Sequence, residues 1–280
     1  MSERIFAVIG HPIGHTMSPF IHKRLFGLAG ENGDYSIIDV VPDELPVKIK
    51  MLDELCGYNI TIPNKQVIIP YLDRLDEKAA MYGSVNTVKN GSVREGFTTD
   101  PIGFLKALRH AGIAFGGNVV ILGSGGVART FVYEAALAGC NITLAARNTD
   151  AAGRLAQEVC GKIDGTKIHT CTISELDGSG IMPDLLVNAT PVGMYPDTDS
   201  VPVSDKIISG SSSVFDAIYN PLETVLIKKA AANGSKALGG MSMLVWQAVA
   251  AHEIWDGSIY SNDDISQLVE DSAAEMKKLF

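Results

Sequence analysis

Two residues of this sequence, Lys65 and Asp100, are suited to moving a proton during a reaction. A lysine exchanges a proton with a substrate oxygen when its surroundings lower its pKa toward neutrality, and a nearby carboxylate can orient it. Lys65 follows a predicted strand, at the end where ligand sites of parallel α/β sheets lie. Each residue also has a structural explanation, since Lys65 is typical of a surface lysine and Asp100 of an N-cap before Pro101. Both explanations stay open at this point.

A glycine-rich loop indicates a nucleotide cofactor. It resembles the G-x-G-x-x-G/A dinucleotide fingerprint, follows a predicted strand and opens a predicted helix, as that motif requires. Its residues are Gly123, Ser124, Gly125, Gly126 and Val127. The next strand is followed by Arg147 rather than by the acidic residue that binds the ribose of NAD, and a planar cation suits a 2′-phosphate. NADP is therefore the predicted cofactor, and the alternatives are a plain tight turn and a solvated loop arginine.

Polar side chains in three further loops are candidates for contacting a ligand. Thr16 and Ser18 follow the first predicted strand, and their hydroxyls can donate to a carboxylate. Ser18 can instead cap the helix that Pro19 starts. Asn86 can belong to a strand edge, and Tyr219 can be a core aromatic residue.

The elements that must position these residues alternate between strand and helix. Strands are predicted at residues 5–10, 35–40 and 58–62, and then at 118–122, 142–145, 185–188 and 213–217. Helices are predicted at 19–28, 47–55, 102–111, from the glycine loop to 138, and at 151–159, 224–233, 243–255 and 263–279. This alternation predicts an α/β protein with mostly parallel sheets, in two units that meet near residue 100. Ile21, Leu25 and Leu28 recur at helical spacing and are the expected buried stripe of the first helix.

Composition and charge exclude several classes of protein. The 280 residues favour about two domains, and 46% hydrophobic with 20% charged residues is an ordinary globular composition. The net charge of −9 argues against a nucleic-acid or anionic-membrane partner. Four scattered cysteines predict neither disulfides nor a metal site. Because we find no signal pattern and no apolar run of membrane-spanning length, we expect a cytoplasmic protein.

Taken together, these residues resemble the shikimate dehydrogenase family. The resemblance covers nearly the whole chain and preserves the order of the family's motifs, at residues 12–22, 59–65, 83–87, 96–100, 123–128, 188–194, 216–221 and 240–247. It implies an α/β fold with an N-terminal α/β substrate domain, a Rossmann-type doubly wound NADP-binding domain and a cleft between them. The implied substrate domain is discontinuous, at 1–101 and 241–280, and the implied NADP domain is 102–240.

The resemblance also implies roles for individual residues. Lys65 and Asp100 match the catalytic pair. The matched substrate-binding positions are Thr16, Ser18, Thr61, Asn86, Tyr219 and Gln247, whose hydroxyls and amides suit a polyhydroxylated ring because each buried hydroxyl needs a partner. The matched cofactor-binding positions are Glu77, Gly123, Ser124, Gly125, Gly126, Val127, Arg147, Asn148, Ala217 and Gly240. No metal site is implied.

The implied activity is the NADPH-dependent, reversible reduction of 3-dehydroshikimate to shikimate, in the chorismate pathway of aromatic amino-acid biosynthesis. The implied partners are this small substrate and NADP, with no nucleic acid or membrane, in a monomer or homodimer.

Departures from the family pattern leave alternatives open. Thr16 stands where serine is usual, Thr98 where asparagine is usual, and Ala146 and Ala151 replace residues that help to hold the phosphate, for which Arg154 is a candidate substitute. One alternative is a quinate/shikimate dehydrogenase that uses NAD or NADP in quinate catabolism, since quinate carries one more hydroxyl near the carboxylate. Another is a non-catalytic relative, against which the presence of both members of the catalytic pair argues.

Overall fold

The computed structural model describes residues 4–14 and 16–279, which divide into two compact units. Unit 1 comprises Met1–Gly103 and Val245–Phe280, and unit 2 comprises Phe104–Leu244. Each unit contains its own six-stranded sheet, so the predicted α/β fold class is confirmed. Residues 1–3 lie outside the described residues, and so does His15 of the first loop motif.

The described elements, numbered in chain order, alternate as the sequence predicts. The strands are β1 (Arg4–Gly10), β2 (Gly33–Asp39), β3 (Gly57–Ile60), β4 (Arg74–Leu75), β5 (Thr87–Lys89), β6 (Glu95–Phe97), β7 (Asn118–Leu122), β8 (Asn141–Ala145), β9 (Ile168–Cys171), β10 (Leu185–Asn188), β11 (Ser213–Asp216) and β12 (Lys236–Leu238). The α-helices are α1 (Ser18–Ala29), α2 (Leu45–Leu52), α3 (Asn64–Val67), α4 (Glu77–Tyr82), α5 (Asp100–His110), α6 (Gly126–Leu137), α7 (Thr149–Lys162), α8 (Ile173–Gly178), α9 (Asp205–Ser209), α10 (Val225–Ala232), α11 (Met241–Asp256) and α12 (Asn262–Leu279). The chain passes from unit 1 to unit 2 within α5 and returns within α11.

The sheet of unit 1 is mixed, with the strand order β2-β1-β3-β5-β6-β4. β1 is parallel to both β2 and β3, whereas β5 is antiparallel to β3 and to β6. The first three strands confirm the predicted ones. The other three are two or three residues long, which is too short for a recognisable alternation of apolar residues, and the sequence pattern does not predict them.

The buried stripe predicted for α1 is wrong at one position. Ile21 and Leu25 are fully buried, but Leu28 is 41% exposed. The buried face of α1 also contains His22 and Phe26. With 3.6 residues per turn, the centre of that face lies between Ile21 and Phe26, and Leu28 lies at its edge. Contact between aromatic rings explains this shift of the buried face, because the Phe26 ring packs at a tilt with its centroid 5.2 Å from that of Phe6 on β1.

The sheet of unit 2 is parallel throughout and has the strand order β12-β11-β10-β7-β8-β9. This is the doubly wound order in which the chain reverses direction across the sheet between the first strand, β7, and the fourth, β10. Ligands of such sheets bind at the carboxyl ends of these two strands. The four inner strands confirm the predicted ones, whereas β9 and β12 are half-exposed edge strands with a weak apolar pattern that the sequence does not reveal.

Among the described residues, no helix combines the length and the apolar character that crossing a lipid bilayer requires.

Candidate active site

Lys65 and Asp100 form a direct ion pair in unit 1. Lys65 lies in α3, just beyond the carboxyl end of β3, and Asp100 is the first residue of α5, just beyond β6. The Nζ atom of Lys65 donates to Oδ2 of Asp100 at 2.5 Å, and the two side chains are only 18% and 11% exposed. The first backbone bond of α5 runs from Gly103 to the carbonyl of Thr99, so Thr99 occupies the N-cap position and the N-cap explanation of Asp100 is wrong. The surface explanation of Lys65 is also wrong, because its ammonium is largely buried against Asp100.

Amide and hydroxyl groups surround the Asp100 carboxylate. Asn86 donates from Nδ2 to Oδ1 of Asp100 at 2.9 Å, and its own Oδ1 accepts from the backbone N–H of Thr99 at 2.7 Å. Oε1 of Gln247, on α11, lies 3.3 Å from both Asn86 Nδ2 and Thr99 Oγ1. The structure thus brings four predicted site residues into one hydrogen-bonded cluster: Lys65, Asn86, Asp100 and Gln247.

Thr61 lies beside the end of β1 because two strand ends approach closely. Its backbone N–H donates to the carbonyl of Ile9 at 2.9 Å. A side chain at Gly10 would collide with Cγ2 of Thr61 and would stand 3.0 Å from the carbonyl oxygen of Ile62. Glycine at position 10 therefore allows the loop that carries Thr61 to pack against β1.

Thr16 and Ser18 form a hydroxyl pair at the start of α1. Thr16 Oγ1 donates to Ser18 Oγ at 3.1 Å and accepts from the Ser18 backbone N–H at 3.2 Å. The N-cap position of α1 is Met17, without a side-chain capping bond, so Ser18 is not a helix cap. The Ser18 hydroxyl is therefore available for contacts other than the helix end.

The glycine-rich loop of unit 2 lies at the carboxyl end of β7, where the doubly wound sheet places ligands. Gly123 has a φ of +100°, and a Cβ there would lie 3.0 Å from Thr190 and 3.1 Å from the carbonyl of Ala189. At Gly125 and Gly126 a Cβ would meet open space. The backbone amides at the N-terminus of α6 are thus accessible to a diphosphate.

A cavity of about 920 Å³ adjoins this loop within unit 2. Its lining includes Gly123, Ser124, Gly125, Ala146, Arg147, Asn148, Thr149, Asp150, Thr190 and Val192. Arg147 is exposed and forms no ion pair with any other described residue, so its guanidinium is available to an anion. Asn148 caps α7 by accepting from the N–H of Ala151 at 3.0 Å. Open glycines and an available arginine fit the diphosphate and 2′-phosphate of NADP.

Ala217 and Gly240 touch each other at the ends of β11 and β12. A side chain at Gly240 would collide with the carbonyl oxygen of Ala217, and the Gly240 N–H donates to Ile218 at 2.9 Å. Next to them, buried Asp216 accepts from the Thr224 hydroxyl at 2.7 Å and from Asn188 at 3.0 Å. Burial raises the pKa of the Asp216 carboxyl to about 6, although these hydrogen bonds oppose the shift.

Four predicted residues lie apart from these clusters. Val127 is in the first turn of α6, beyond the cavity lining, and Glu77 is exposed at the start of α4 in unit 1. Tyr219 is half-buried in unit 2, and burial raises the pKa of its hydroxyl. Arg154, the candidate substitute in the phosphate site, is exposed on α7 outside the lining of the cavity.

Sequence reasoning missed three polar residues that hold the unit 1 cluster together. Thr99 contacts both Asn86 and Gln247. Asn59 and Thr87 are buried and hydrogen-bonded to each other at 3.0 Å. All three lie inside the motifs quoted above, and a polar residue in a buried strand is the feature that could have identified Asn59.

Comparison with known proteins identifies the family. Residues 8–88 match the family model of the shikimate dehydrogenase substrate binding domain. The shikimate dehydrogenase (NADP(+)) of Caldanaerobacter subterraneus subsp. tengcongensis is 35% identical over 273 residues, which cover 96% of this chain and 97% of that protein.

Two solved structures share the fold over almost the whole chain. The chorismate mutase/shikimate 5-dehydrogenase fusion protein from Clostridium acetobutylicum has a TM-score of 0.91 and 32% identity, covering 99% of this chain and 100% of that one. The shikimate 5-dehydrogenase of Thermus thermophilus, in complex with NADP(H) and shikimate, has a TM-score of 0.85 and 30% identity, covering 96% and 99%. The chain therefore belongs to the shikimate dehydrogenase family of oxidoreductases.

Proposed function

We propose that the protein catalyses the NADPH-dependent, reversible reduction of 3-dehydroshikimate to shikimate. The observation that carries this proposal is the largely buried contact between the Lys65 ammonium and the Asp100 carboxylate, surrounded by uncharged amides and hydroxyls. A proton-exchanging group among such side chains is what the oxidation of one hydroxyl on a polyhydroxylated ring requires. The Thermus thermophilus relative, whose structure contains NADP(H) and shikimate, supports the same substrate and cofactor.

The chemistry needs a hydride at the ring carbon and a proton at the attached oxygen. Bound NADPH supplies the hydride. Lys65 donates a proton from Nζ to the oxygen as the carbonyl becomes a hydroxyl, and in the reverse direction its neutral amine accepts that proton. Because Asn86 occupies Oδ1 of Asp100, Oδ2 remains for the lysine and holds Nζ in place. The 18% exposure of Lys65 lets water restore its proton between turnovers.

Uncharged side chains bind the substrate in this proposal. Thr61, Asn86 and Gln247 pair with the ring hydroxyls, while Thr16, Ser18 and Tyr219 donate to the substrate carboxylate. These hydroxyls bind the substrate by hydrogen bonds and not by an ion pair. Each hydrogen bond contributes roughly 0.5–1.5 kcal/mol to the binding free energy. The substrate domain is 1–101 with 241–280 in this proposal, and its polar cluster carries the specificity.

The domain at 102–240 binds NADP in this proposal. The amides of Gly123, Ser124, Gly125, Gly126 and Val127 contact the diphosphate. Arg147 and Asn148 contact the 2′-phosphate, and Glu77, Ala217 and Gly240 approach the nicotinamide. NADP is favoured over NAD because Arg147 stands where a carboxylate would repel the 2′-phosphate.

We place the enzyme in the cytoplasm, because Cys56, Cys140, Cys160 and Cys171 are free thiols, which a reducing compartment preserves. Analytical ultracentrifugation distinguishes the two expected assembly states, a monomer and a homodimer.

A single set of assays tests the proposal. The purified protein is supplied with shikimate or quinate, each with NADP or NAD, and reduced cofactor is followed by its absorbance. We expect the largest kcat/KM with shikimate and NADP. A larger kcat/KM for quinate, or for NAD, would instead support quinate catabolism, and the absence of turnover with all four pairs would exclude a dehydrogenase of this type.

A further inference from the structure

Asp216 is a completely buried carboxylate at the carboxyl end of β11, inside unit 2. It forms no ion pair with any other residue that the structure describes, so hydrogen bonds alone stabilise its charge. Its Oδ1 atom accepts from Asn188 Nδ2 at 3.0 Å and from the backbone N–H of Ile218 at 3.1 Å. Its Oδ2 atom accepts from the Thr224 hydroxyl at 2.7 Å. Because a buried charge without a cation is costly, a carboxylate here indicates that three donors must be satisfied at one point.

The orientation of the Asn188 amide shows that Asp216 is an acceptor. Asn188 Oδ1 accepts from the backbone N–H of Thr190 at 3.0 Å and from the Thr190 hydroxyl at 2.7 Å. Since a backbone N–H can only donate, the oxygen of this amide faces Thr190 and its nitrogen faces Asp216. An asparagine at position 216 would offer one accepting oxygen and one donating nitrogen, so it would lose at least one of the three bonds.

Asn188 connects Asp216 to the wall of the cavity beside the glycine-rich loop. Thr190 and Val192 line that cavity, and the Val192 N–H donates to Thr190 Oγ1 at 3.2 Å. Gly123 packs so closely on this wall that a Cβ there would lie 3.0 Å from Thr190 Cγ2. The position of this wall therefore depends on Asn188 and, through Asn188, on Asp216.

Asp216 also fixes the segment that follows β11. Its bond to the Ile218 N–H closes a turn around Ala217. The carbonyl of Ile218 in turn accepts from the Gly240 N–H at 2.9 Å, and Gly240 lies directly against the carbonyl oxygen of Ala217. Thr224, the donor to Oδ2, is the N-cap residue of α10. One carboxylate thus joins the cavity wall, the contact between Ala217 and Gly240, and the start of α10.

We propose that Asp216 is a positioning residue of the cofactor site, which fixes the spacing between the glycine-rich loop and the contact between Ala217 and Gly240. The inference rests on the proposed function, since it takes the loop to bind the diphosphate of NADP and the contact to lie beside the nicotinamide. Hydride transfer requires the two reacting carbons to approach within about 3–3.5 Å, so a small displacement of the nicotinamide slows it strongly.

This role predicts that hydride transfer and phosphate binding respond differently to a change at Asp216. The glycine-rich loop has an anchor of its own on β8, where the Gly123 N–H donates to the carbonyl of Ala145 at 2.8 Å. Arg147 follows the same strand. The phosphates should therefore bind as before when the bonds of Asp216 are weakened, whereas the nicotinamide should be misplaced. A residue that only stabilises unit 2 would lower the free energy of unfolding and leave hydride transfer in the folded enzyme unchanged.

The test compares Asp216→Asn with the matched control Ser211→Ala. Ser211 lies just before the amino end of the same strand, and its buried hydroxyl donates to the carbonyl of Ile207 at 2.7 Å. Stopped-flow absorbance follows the first turnover when enzyme saturated with NADP is mixed with saturating shikimate. We expect Asp216→Asn to slow this hydride transfer roughly 10–100-fold, and Ser211→Ala to match wild type.

A fragment of the cofactor reports on phosphate binding separately. Adenosine 2′,5′-bisphosphate has the 2′-phosphate and one phosphate of the diphosphate, but no nicotinamide. Its Kd, measured by calorimetry, should be the same for Asp216→Asn, Ser211→Ala and wild type. A weakening of this fragment in Asp216→Asn as large as the loss in hydride transfer would overturn the proposal, and so would a folded Asp216→Asn enzyme with the wild-type rate of hydride transfer.

Thr224→Val provides a second variant of the same network. It nearly preserves the shape of the side chain and removes the donor to Oδ2 of Asp216, so it should also slow hydride transfer. The double variant should lose less than the product of the two single losses, because the residues act as one unit, and full multiplication would count against that unit. If Asp216→Asn does not fold, Thr224→Val takes its place in both measurements. A wild-type protein without turnover of shikimate and NADP would refute the proposed function, whereas an active wild type with an unaffected Asp216→Asn refutes this inference alone.

Discussion

The Nδ1 atom of His22 lies 3.1 Å from the Nε2 atom of His252, and both imidazoles are completely buried. One ring must donate and the other accept, so the contact requires at least the accepting ring to be neutral. Burial, reinforced by the neighbouring His252, lowers the pKa of His22 well below its ordinary value. Burial also lowers the pKa of His252 to about 4, against the opposing effect of Asp256, whose carboxylate lies 3.8 Å from Nδ1. The core of unit 1 is therefore sensitive to acid.

We expect the free energy of unfolding to fall as the pH drops from about 6.5 toward 4. In that window the unfolded chain binds protons at both histidines, whereas the folded chain does not, so protons favour unfolding. Each histidine contributes up to about 1.4 kcal/mol per pH unit. Urea unfolding of His252→Phe at several pH values should show a shallower dependence than wild type. An exposed-histidine control, His169→Gln, should not, and equal slopes for wild type and His252→Phe would contradict the assignment.

The Lys65→Met variant should keep its fold and lose turnover. It retains the aliphatic bulk and removes the ammonium, so kcat for shikimate oxidation should fall roughly 10²–10⁴-fold, the usual contribution of a general acid or base. The KM for shikimate should change far less. Asp100→Asn should also lower kcat, and the double variant should lose less than the product of both losses. Lys50→Met, at an exposed lysine of α2, is the control, and a folded Lys65→Met enzyme with most of its kcat would refute the mechanism.

Arg147→Ala should weaken NADP selectively. Loss of a charged hydrogen bond to the 2′-phosphate costs roughly 1.5–3 kcal/mol, which corresponds to a tenfold or larger increase in the KM for NADP. The KM for NAD, which lacks that phosphate, should stay the same. Arg154→Ala removes an exposed arginine that does not line the cavity and should leave both values unchanged. Equal effects of Arg147→Ala on the two cofactors would mean that this guanidinium does not recognise the phosphate.

Gly240→Ala should destabilise the protein, because the added methyl group would collide with the carbonyl oxygen of Ala217. Backbone cannot yield as a flexible side chain can, so we expect a loss of about 1–3 kcal/mol in the free energy of unfolding. Gly178→Ala, where a Cβ meets open space, should be neutral or slightly stabilising. Both variants are compared by urea unfolding, and a Gly240→Ala protein as stable as wild type would show that β11 and β12 can separate there.

Long apolar patterns made most of the fold predictable. The buried inner strands of unit 2 are continuous apolar runs, and the helices between them are long enough to show a period. Leu28 shows the limit of that reasoning, since spacing defines a stripe but tertiary packing decides where its centre lies. The short strands β4, β5 and β6 are defined by their pairing with β3 and with one another, which local sequence does not encode.

The candidate site was predictable residue by residue but not as a network. The types of Lys65 and Asp100 suggested proton transfer, while their contact depends on strand order in a mixed sheet. Tyr35 carried no chemical signal, because a tyrosine in an apolar strand is ordinary core. Only the fold shows that its hydroxyl meets Asn59, which lies 24 residues further along the chain.

The discontinuity of unit 1 has a consequence for synthesis on the ribosome. Unit 2 is one uninterrupted segment and can fold as soon as it emerges, whereas unit 1 requires its last helices. Trp255 donates to the carbonyl of Val88 at 2.9 Å, Lys89 donates to Ile254 at 2.7 Å, and Gln247 completes the cluster around Asn86. The candidate cluster therefore assembles only after α11 has been translated, because it depends on contacts that are remote in sequence. A nascent chain stalled before α11 would contain a folded glycine-rich loop and an incomplete site around Asp100.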